Sequence, residues 1–306
     1  MTKFTFANTI FTKRGKFKML CNLCAKKCNA QRNENEGNGN CKMPLQLKIA
    51  HYELFKYEEP CISLNTGSGA IFFSGCNLDC IFCQNYEISA KCKGKFISVS
   101  NLVEIIKELE NAGAENINLV TPTHYVLAIV QALKQYKPKV PVIYNTNAYE
   151  NVETIKFVAP FVDVFLPDFK YYSNELAKKF SGVENYMQVA LRAIKTMRQL
   201  KPDIYDSNGK ILQGVIVRHM VLPLCTDDSI LVLKTIKENL PNTKVSLLSQ
   251  YTPYAKALEC KQINRKITKR EYDKVLNCFL SLNLDGYYQE LKSSCKEYIP
   301  NFKFAN

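Results

Sequence analysis

Three cysteines, Cys76, Cys80 and Cys83, stand in the spacing C-x3-C-x2-C inside TGSGAIFFSGCNLDCIFCQN, residues 66–85. Three thiols this close cannot pair among themselves without leaving one over, but together their thiolates can hold a metal centre. A zinc site ordinarily takes four ligands, and an ordinary 4Fe-4S cluster takes four cysteines, so a set of three is informative. A second group, Cys21, Cys24, Cys28 and Cys41, follows C-x2-C-x3-C-x12-C. These four make a closed ligand set. The intervening NENEGNGN is too polar to be ordered by its own burial, so a bound metal must supply the order. Zinc and an auxiliary 4Fe-4S cluster would be satisfied equally well, and the spacing does not separate them.

These cysteines need a scaffold. Ala70, Ile71, Phe72 and Phe73 form a short apolar run flanked by glycines, which predicts a buried strand delivering the cysteine loop from its end. Downstream, Leu102, Val103, Ile105, Ile106 and Leu109 mark one face of a helix over 99–112. A strand over 117–120 and a helix over 126–133 follow. Apolar runs at 142–144, 162–166, 214–222 and 245–248 predict further strands, separated by stretches long enough for helical crossovers, and a helix is expected over 268–284. Repeated strand-helix alternation means a parallel sheet, closed or open. Upstream, residues 1–20 show no clear period. LQLKIAHYELFKYEEPC, residues 45–61, alternates enough for one or two strands. His51, Glu58 and Glu59 lie there and are not counted as site residues, and Cys61 is read as a buried thiol.

In parallel α/β architectures reactive groups collect at the carboxyl ends of the strands. That rule selects Thr121, Thr123 and His124, then Asn145, Thr146 and Asn147, then Asp168 and Lys170, then Arg218 and His219, then Ser249, Gln250 and Tyr251. Any one of these could merely satisfy strand-end backbone, but five successive strand ends form a set. Asp168 and Lys170, two apart, fall on one side of an extended segment. Arg218 can bridge carboxylates or serve as a structural ion pair, and both readings stay open. His124, able to exchange a proton near neutral pH, is left without an assigned role.

The C-x3-C-x2-C spacing with Phe82 just before its third cysteine resembles the cluster motif of the radical S-adenosylmethionine (SAM) superfamily. GSGAIFFSGC and CQN, followed in order by NINLVTPTHY, YNTNAY, LPDFKY, VRHMVLP and YIPNF, look like the pyruvate formate-lyase activating enzymes, in particular relatives with an N-terminal four-cysteine cluster. The resemblance implies an α/β fold, a partial (β/α)6 barrel over 63–306 with a C-terminal cover. A small cysteine-rich metal-binding segment and lead-in over 1–62 would precede it. It implies that Cys76, Cys80 and Cys83 hold three irons of a 4Fe-4S cluster, the fourth being left for the amino and carboxylate groups of SAM. Phe82 would lie along the adenine, with Gln84 and Asn85 near its edge. Thr121 and Thr123 stand where the superfamily has a Gly-Gly-Glu-like stretch, and their hydroxyls can accept the hydrogen bond of the SAM amino group. Lys170 would meet the SAM carboxylate, and Asp168 would help to hold a monovalent cation beside Asn145 and Thr146. Asn145 replaces an Asp of those enzymes and removes one charge, which puts the cation in doubt. Arg218 completes the cofactor-binding set. Because one cluster is needed in any case, iron-sulfur is preferred to zinc at Cys21, Cys24, Cys28 and Cys41.

At 306 residues and 46% hydrophobic composition the chain is globular and long enough for one large α/β domain or two small ones. No apolar run approaches the roughly 18 residues of a membrane span. The N-terminus has neither the h-region nor the cleavage site of a signal peptide, so a cytoplasmic location is expected. There, 13 cysteines point to metal and reduced thiols. The net charge of +13 is spread along the chain without a basic tract, which disfavours nucleic-acid binding. The resemblance implies an oxygen-excluding, anaerobic chemistry in which a reduced cluster cleaves SAM to methionine and a 5'-deoxyadenosyl radical that takes a hydrogen atom. The implied substrate is a backbone glycine of a partner glycyl radical enzyme, with flavodoxin or ferredoxin as electron donor. The alternatives are radical SAM catalysis on another peptide, a nucleic acid or a small molecule, and a zinc-dependent nucleic-acid-binding protein.

Overall fold

A computed structural model describes residues 9–11, 17–293 and 302. Three short strands, β1 (Thr9–Phe11), β2 (Phe17–Cys21) and β3 (Ala30–Arg32), pair antiparallel in a small N-terminal sheet. The main sheet is built on β4 (Leu47–Phe55), β5 (Ser68–Phe73), β6 (Lys95–Ile97), β7 (Ile117–Val120), β8 (Val142–Thr146) and β9 (Val164–Pro167). It continues through β10 (Ile204–Tyr205), β11 (Ile211–Met220), β12 (Lys244–Leu248) and β13 (Gly286–Tyr288). Its order is β13-β12-β11-β9-β8-β7-β5-β4-β6, with β10 paired to β11.

From β5 to β13 along this path every neighbouring pair is parallel, and β4, β6 and β10 join antiparallel. Parallel neighbours require crossovers, and helices supply them. They are α1 (Tyr86–Ser89) and α2 (Val99–Asn111) before β7, α3 (Val126–Gln135) before β8 and α4 (Val152–Val158) before β9. Then come α5 (Asn174–Ser181) and α6 (Tyr186–Leu200), α7 (Thr226–Asn239) before β12, and α8 (Lys269–Ser281) before β13. The edges β6 and β13 do not meet, so the sheet is a partial barrel of six parallel strands extended by a short seventh.

The periodicity finds its physical cause in burial. All six residues of β5 and all four of β7 are buried, as strands covered on both faces must be. In α2 the predicted face Leu102, Val103, Ile105, Ile106 and Leu109 is the buried one, and Ser98 caps the helix in a reciprocal pair with Asn101. Thr268 and Glu271 do the same for α8.

Four placements go beyond the sequence reading. Residues 9–11 and 17–21, left unassigned, are strands. The lead-in β4 belongs to the main sheet, so that sheet begins before residue 62. Gly286–Tyr288, expected in a covering tail, extends the sheet as β13 because Gly286 lets the strands close: a Cβ there would lie 1.9 Å from the Val245 carbonyl oxygen. The rest of that tail lies outside the described residues, apart from residues 289–293 and Phe302, which packs edge-on to Phe72 at 5.4 Å. No described helix is long and apolar enough to cross a membrane.

Candidate active site

The strand β5 ends at Phe73, and at Ser74 and Gly75 the chain turns into the cysteine loop. Gly75 has φ of 84°, and a Cβ there would meet Met43 Cγ at 2.4 Å and the Cys41 carbonyl oxygen at 2.7 Å. The N-terminal segment therefore lies directly on the loop. Two backbone bonds, Asp79 N–H to Ser181 O at 3.3 Å and Ile81 N–H to Phe180 O at 2.9 Å, fix the loop to the end of α5. Each sulfur has a polar neighbour. Asn147 Nδ2 donates to Cys76 Sγ at 3.4 Å, Ser181 Oγ lies 2.9 Å from Cys80 Sγ, and Ser89 Oγ donates to Cys83 Sγ at 3.2 Å. Burial pushes all three thiols up, Cys80 to about 11, with the Lys170 ammonium working against the rise. As free thiols they are protonated at neutral pH, and a metal must displace those protons to bind.

A cavity of about 470 Å³ opens above the loop at the carboxyl ends of the parallel strands. Cys76, Cys80, Cys83, Phe82, Gln84, Asn85, Thr121, Asn145, Thr146, Asp168, Lys170 and Arg218 all line it. Thr121 takes φ of 59°, a left-handed conformation that a β-branched residue ordinarily avoids. Phe82 is held edge-on by Tyr171, Phe180 and Tyr251. Asn85 Oδ1 is buried without a partner among the described residues.

One ionic chain crosses the cavity wall. Lys170 Nζ donates to Asp168 Oδ2 at 2.7 Å, Arg218 Nε to Asp168 Oδ1 at 2.9 Å, and Arg218 Nη2 to Asn145 Oδ1 at 2.6 Å. Arg218 Nη1 lies 3.8 Å from Glu58 Oε2, and Glu58 Oε1 accepts from Asn118 Nδ2 at 2.7 Å. Burial alone would raise Asp168, but the charges of Arg218 and Lys170 overcome it and hold the carboxyl below its usual range. Glu58 is pushed up to about 8 by burial and by its neighbour Glu59. The cation role expected for Asp168 beside Asn145 thus meets a guanidinium already bonded to both residues. Arg218 is an ion-pair bridge, and it faces the cavity while being one.

Thr123 is placed differently from its neighbours. It is outside the cavity lining, and its hydroxyl donates to the buried Glu150 Oε1 at 2.6 Å. Thr146 lines the cavity, but its hydroxyl too is given to Glu150. His124 and His219 are both neutral: burial lowers them to about 3 and about 4. His219 Nδ1 donates to Phe169 O at 2.7 Å, and His124 Nε2 donates to Ser74 O at 2.7 Å. Gln250 lines the cavity, Ser249 bonds Glu290 O and Tyr251 bonds Ile263 O. Cys61 is buried. Sequence reasoning passed over Glu58 and Glu59, whose signal was an acidic pair inside an otherwise alternating strand segment, and Asn118 and Glu150, which carried no signal.

A family model for the radical SAM superfamily matches residues 70–236. The chain belongs to the radical SAM superfamily. Its members bind SAM and a 4Fe-4S cluster, and this chain is an enzyme of that superfamily. The uncharacterized protein MJ0674 of Methanocaldococcus jannaschii is 32% identical over 281 residues, which are 88% of this chain and 76% of that protein. Among solved structures, SuiB of Streptococcus suis bound to the precursor peptide SuiA shares 15% identity, with a TM-score of 0.49 over 76% of this chain and 51% of SuiB. A radical SAM methyltransferase from Sphaerobacter thermophilus shares 12% identity, with a TM-score of 0.49 over 94% and 77% of the two chains. The chain spans about half the length of SuiB.

The second cysteine group of this radical SAM protein also shares one wall. Cys21, Cys24, Cys28 and Cys41 line a small cavity together with Arg32, Asn77 and His124. The segment is docked on the start of α4, through Asn151 Nδ2 to Asn22 O at 3.0 Å and Thr154 Oγ1 to Leu23 O at 2.6 Å. Burial raises Cys24 to about 12 and raises Cys41. Among the described residues no three Cys, His, Asp or Glu side chains already converge at ligand distance, and this holds for both cysteine groups alike.

Proposed function

We propose that the protein cleaves SAM reductively at a cluster held by Cys76, Cys80 and Cys83, and uses the resulting radical to abstract hydrogen from a backbone glycine of a partner enzyme. The observation that carries the SAM site is the meeting of those three thiols and Lys170 in one cavity at the strand ends. The cluster, when bound, supplies the electron that breaks a carbon-sulfur bond of SAM. The protein's own part is binding, orientation and exclusion of water.

Lys170 offers an ammonium to the SAM carboxylate while Asp168 and Arg218 hold it in place. Asn85 Oδ1, buried and unpartnered, fits an amino-group donor such as that of adenine, with Phe82 on the cavity wall beside it. Thr121, which lines the cavity, would meet the SAM amino group, whereas the Thr123 and Thr146 hydroxyls are given to Glu150. Cys21, Cys24, Cys28 and Cys41 would hold a second metal, 4Fe-4S or zinc, so that the segment before β4 acts as the metal-binding unit and the main sheet from β4 onward as the catalytic one. A glycyl radical enzyme as substrate, and flavodoxin or ferredoxin as reductant, rest on the sequence motifs. A second reading, abstraction from another peptide or a small molecule seated deeper in the cavity, is favoured by Glu58 and Glu59, which line it and make no contact proposed for SAM.

The test is anaerobic SAM cleavage by the reconstituted protein. The wild type should release 5'-deoxyadenosine under a strong reductant, and Cys80→Ala should release none. An undiminished yield from Cys80→Ala would remove the assignment. A partner captured anaerobically should then show a glycyl radical by EPR, and its absence would favour the second reading.

A further inference from the structure

Arg32, at the end of β3, is only 1% exposed. Its Nε donates to Met43 O at 3.0 Å, its Nη2 to Pro44 O at 2.5 Å, and its Nη1 points to Cys21 Sγ at 3.5 Å. The guanidinium also lies over the Tyr125 ring, 5.9 Å from its centre. No carboxylate among the described residues forms an ion pair with it. A guanidinium stays protonated in proteins, and burying an unpaired charge is costly. Two carbonyls and a ring face soften that cost without cancelling the charge. Cys21, Cys24, Cys28 and Cys41 line the same wall.

The balance reverses once four thiolates hold a metal. One divalent zinc, or a 4Fe-4S core of charge 2+, with four thiolates carries a net charge of about −2. A buried cation beside one sulfur is then an asset. A second feature of the wall also asks for a ligand. His124, itself 4% exposed, gives its Nε2 hydrogen to Ser74 O, which leaves Nδ1 with a bare lone pair and no partner among the described residues.

We propose that Arg32 is the built-in counter-cation of an anionic tetrathiolate centre formed by Cys21, Cys24, Cys28 and Cys41, and that its charge sets how tightly that centre holds its metal. This rests on the metal reading of those cysteines. Arg32 acts through the sulfurs as a positioning residue. Its two carbonyl bonds also fix the 43–44 turn on which Gly75 and the SAM-cluster loop pack, so the two roles must be separated.

Two substitutions separate them in full-length protein lacking Cys76, Cys80 and Cys83, so that only the second centre is counted. Arg32→Lys keeps the charge and loses part of the donor fork, whereas Arg32→Gln keeps carbonyl donors and loses the charge. Metal per chain is measured after reconstitution with iron and sulfide or with zinc, followed by a chelator series. Arg32→Gln should lose metal at about tenfold or more lower chelator concentration than the parent, and Arg32→Lys should stay close to the parent. The opposite order, Gln retaining metal and Lys losing it, would overturn the inference in favour of a purely structural turn. Equal retention in all three would overturn it as well, while leaving the four-cysteine site standing. A parent protein that binds no metal takes down the site and the inference together. Should Arg32→Gln fail to fold, Arg32→Lys decides alone: metal held as in the parent supports the role, and loss overturns it.

Discussion

At the scale of single residues, Lys170 separates a SAM contact from a structural ion pair. It shares Asp168 with Arg218, so its removal leaves that carboxylate still paired at 2.9 Å. Lys170→Ala should therefore leave cluster content and fold nearly intact while weakening SAM binding by roughly 1.5–3 kcal/mol, the worth of a charge-assisted hydrogen bond. Calorimetric titration with SAM checks this, and unchanged affinity would make Lys170 an ion-pair residue only. His219 gives a prediction in pH. Its folded pKa of about 4 lies below the ordinary 6.5, so its contribution is present above pH 6.5 and is lost as pH falls toward 4. At pH 5 the loss reaches about 2 kcal/mol. His219→Asn can keep the donor to Phe169 O, and it should show a smaller drop in urea midpoint between pH 7 and pH 5 than the wild type. Parallel drops would show that His219 is not the acid-sensitive group.

At the scale of elements, the loop after β5 joins the two cysteine groups. Gly75 is pressed against Met43 and the Cys41 carbonyl, so the N-terminal segment and the SAM-cluster loop share a wall. Gly75→Ala combines a positive φ with a steric collision and should cost about 1–3 kcal/mol of stability. It should also lower metal retention at Cys21, Cys24, Cys28 and Cys41, because the segment can no longer seat. Chemical denaturation and metal analysis on one preparation measure both. Normal stability with normal metal content would mean that the contact is readily relaxed. β13 shows the same logic at the sheet edge, where Gly286 alone admits the close approach to Val245.

At the scale of the whole molecule, the fold places two cysteine groups on either side of one loop, one facing the main cavity and one behind it. With Cys76, Cys80 and Cys83 replaced by Ala, the N-terminal four should still retain about four irons per chain if they hold 4Fe-4S, or about one zinc. Finding neither metal, with the segment still folded, would refute the second centre in both forms.

The sequence by itself determined the parallel sheet, most of its strands, and part of the cavity lining, because strand and helix periodicities are local and because strand ends in such sheets converge. Thr121, Asn145, Asp168, Lys170 and Arg218 were legible for that reason. Tertiary structure decided the pairings that depend on distant partners. Thr123 carries the same hydroxyl as Thr121, yet turns to Glu150, which lies 27 positions further on and gave no local sign. Glu58 enters the cavity wall only because the segment after β4 brings it to Asn118 and Arg218. Arg32 is one of many basic residues in the sequence, and only burial without a carboxylate distinguishes it. Charge at a site is a sum over neighbours in space, and sequence spacing does not contain that sum.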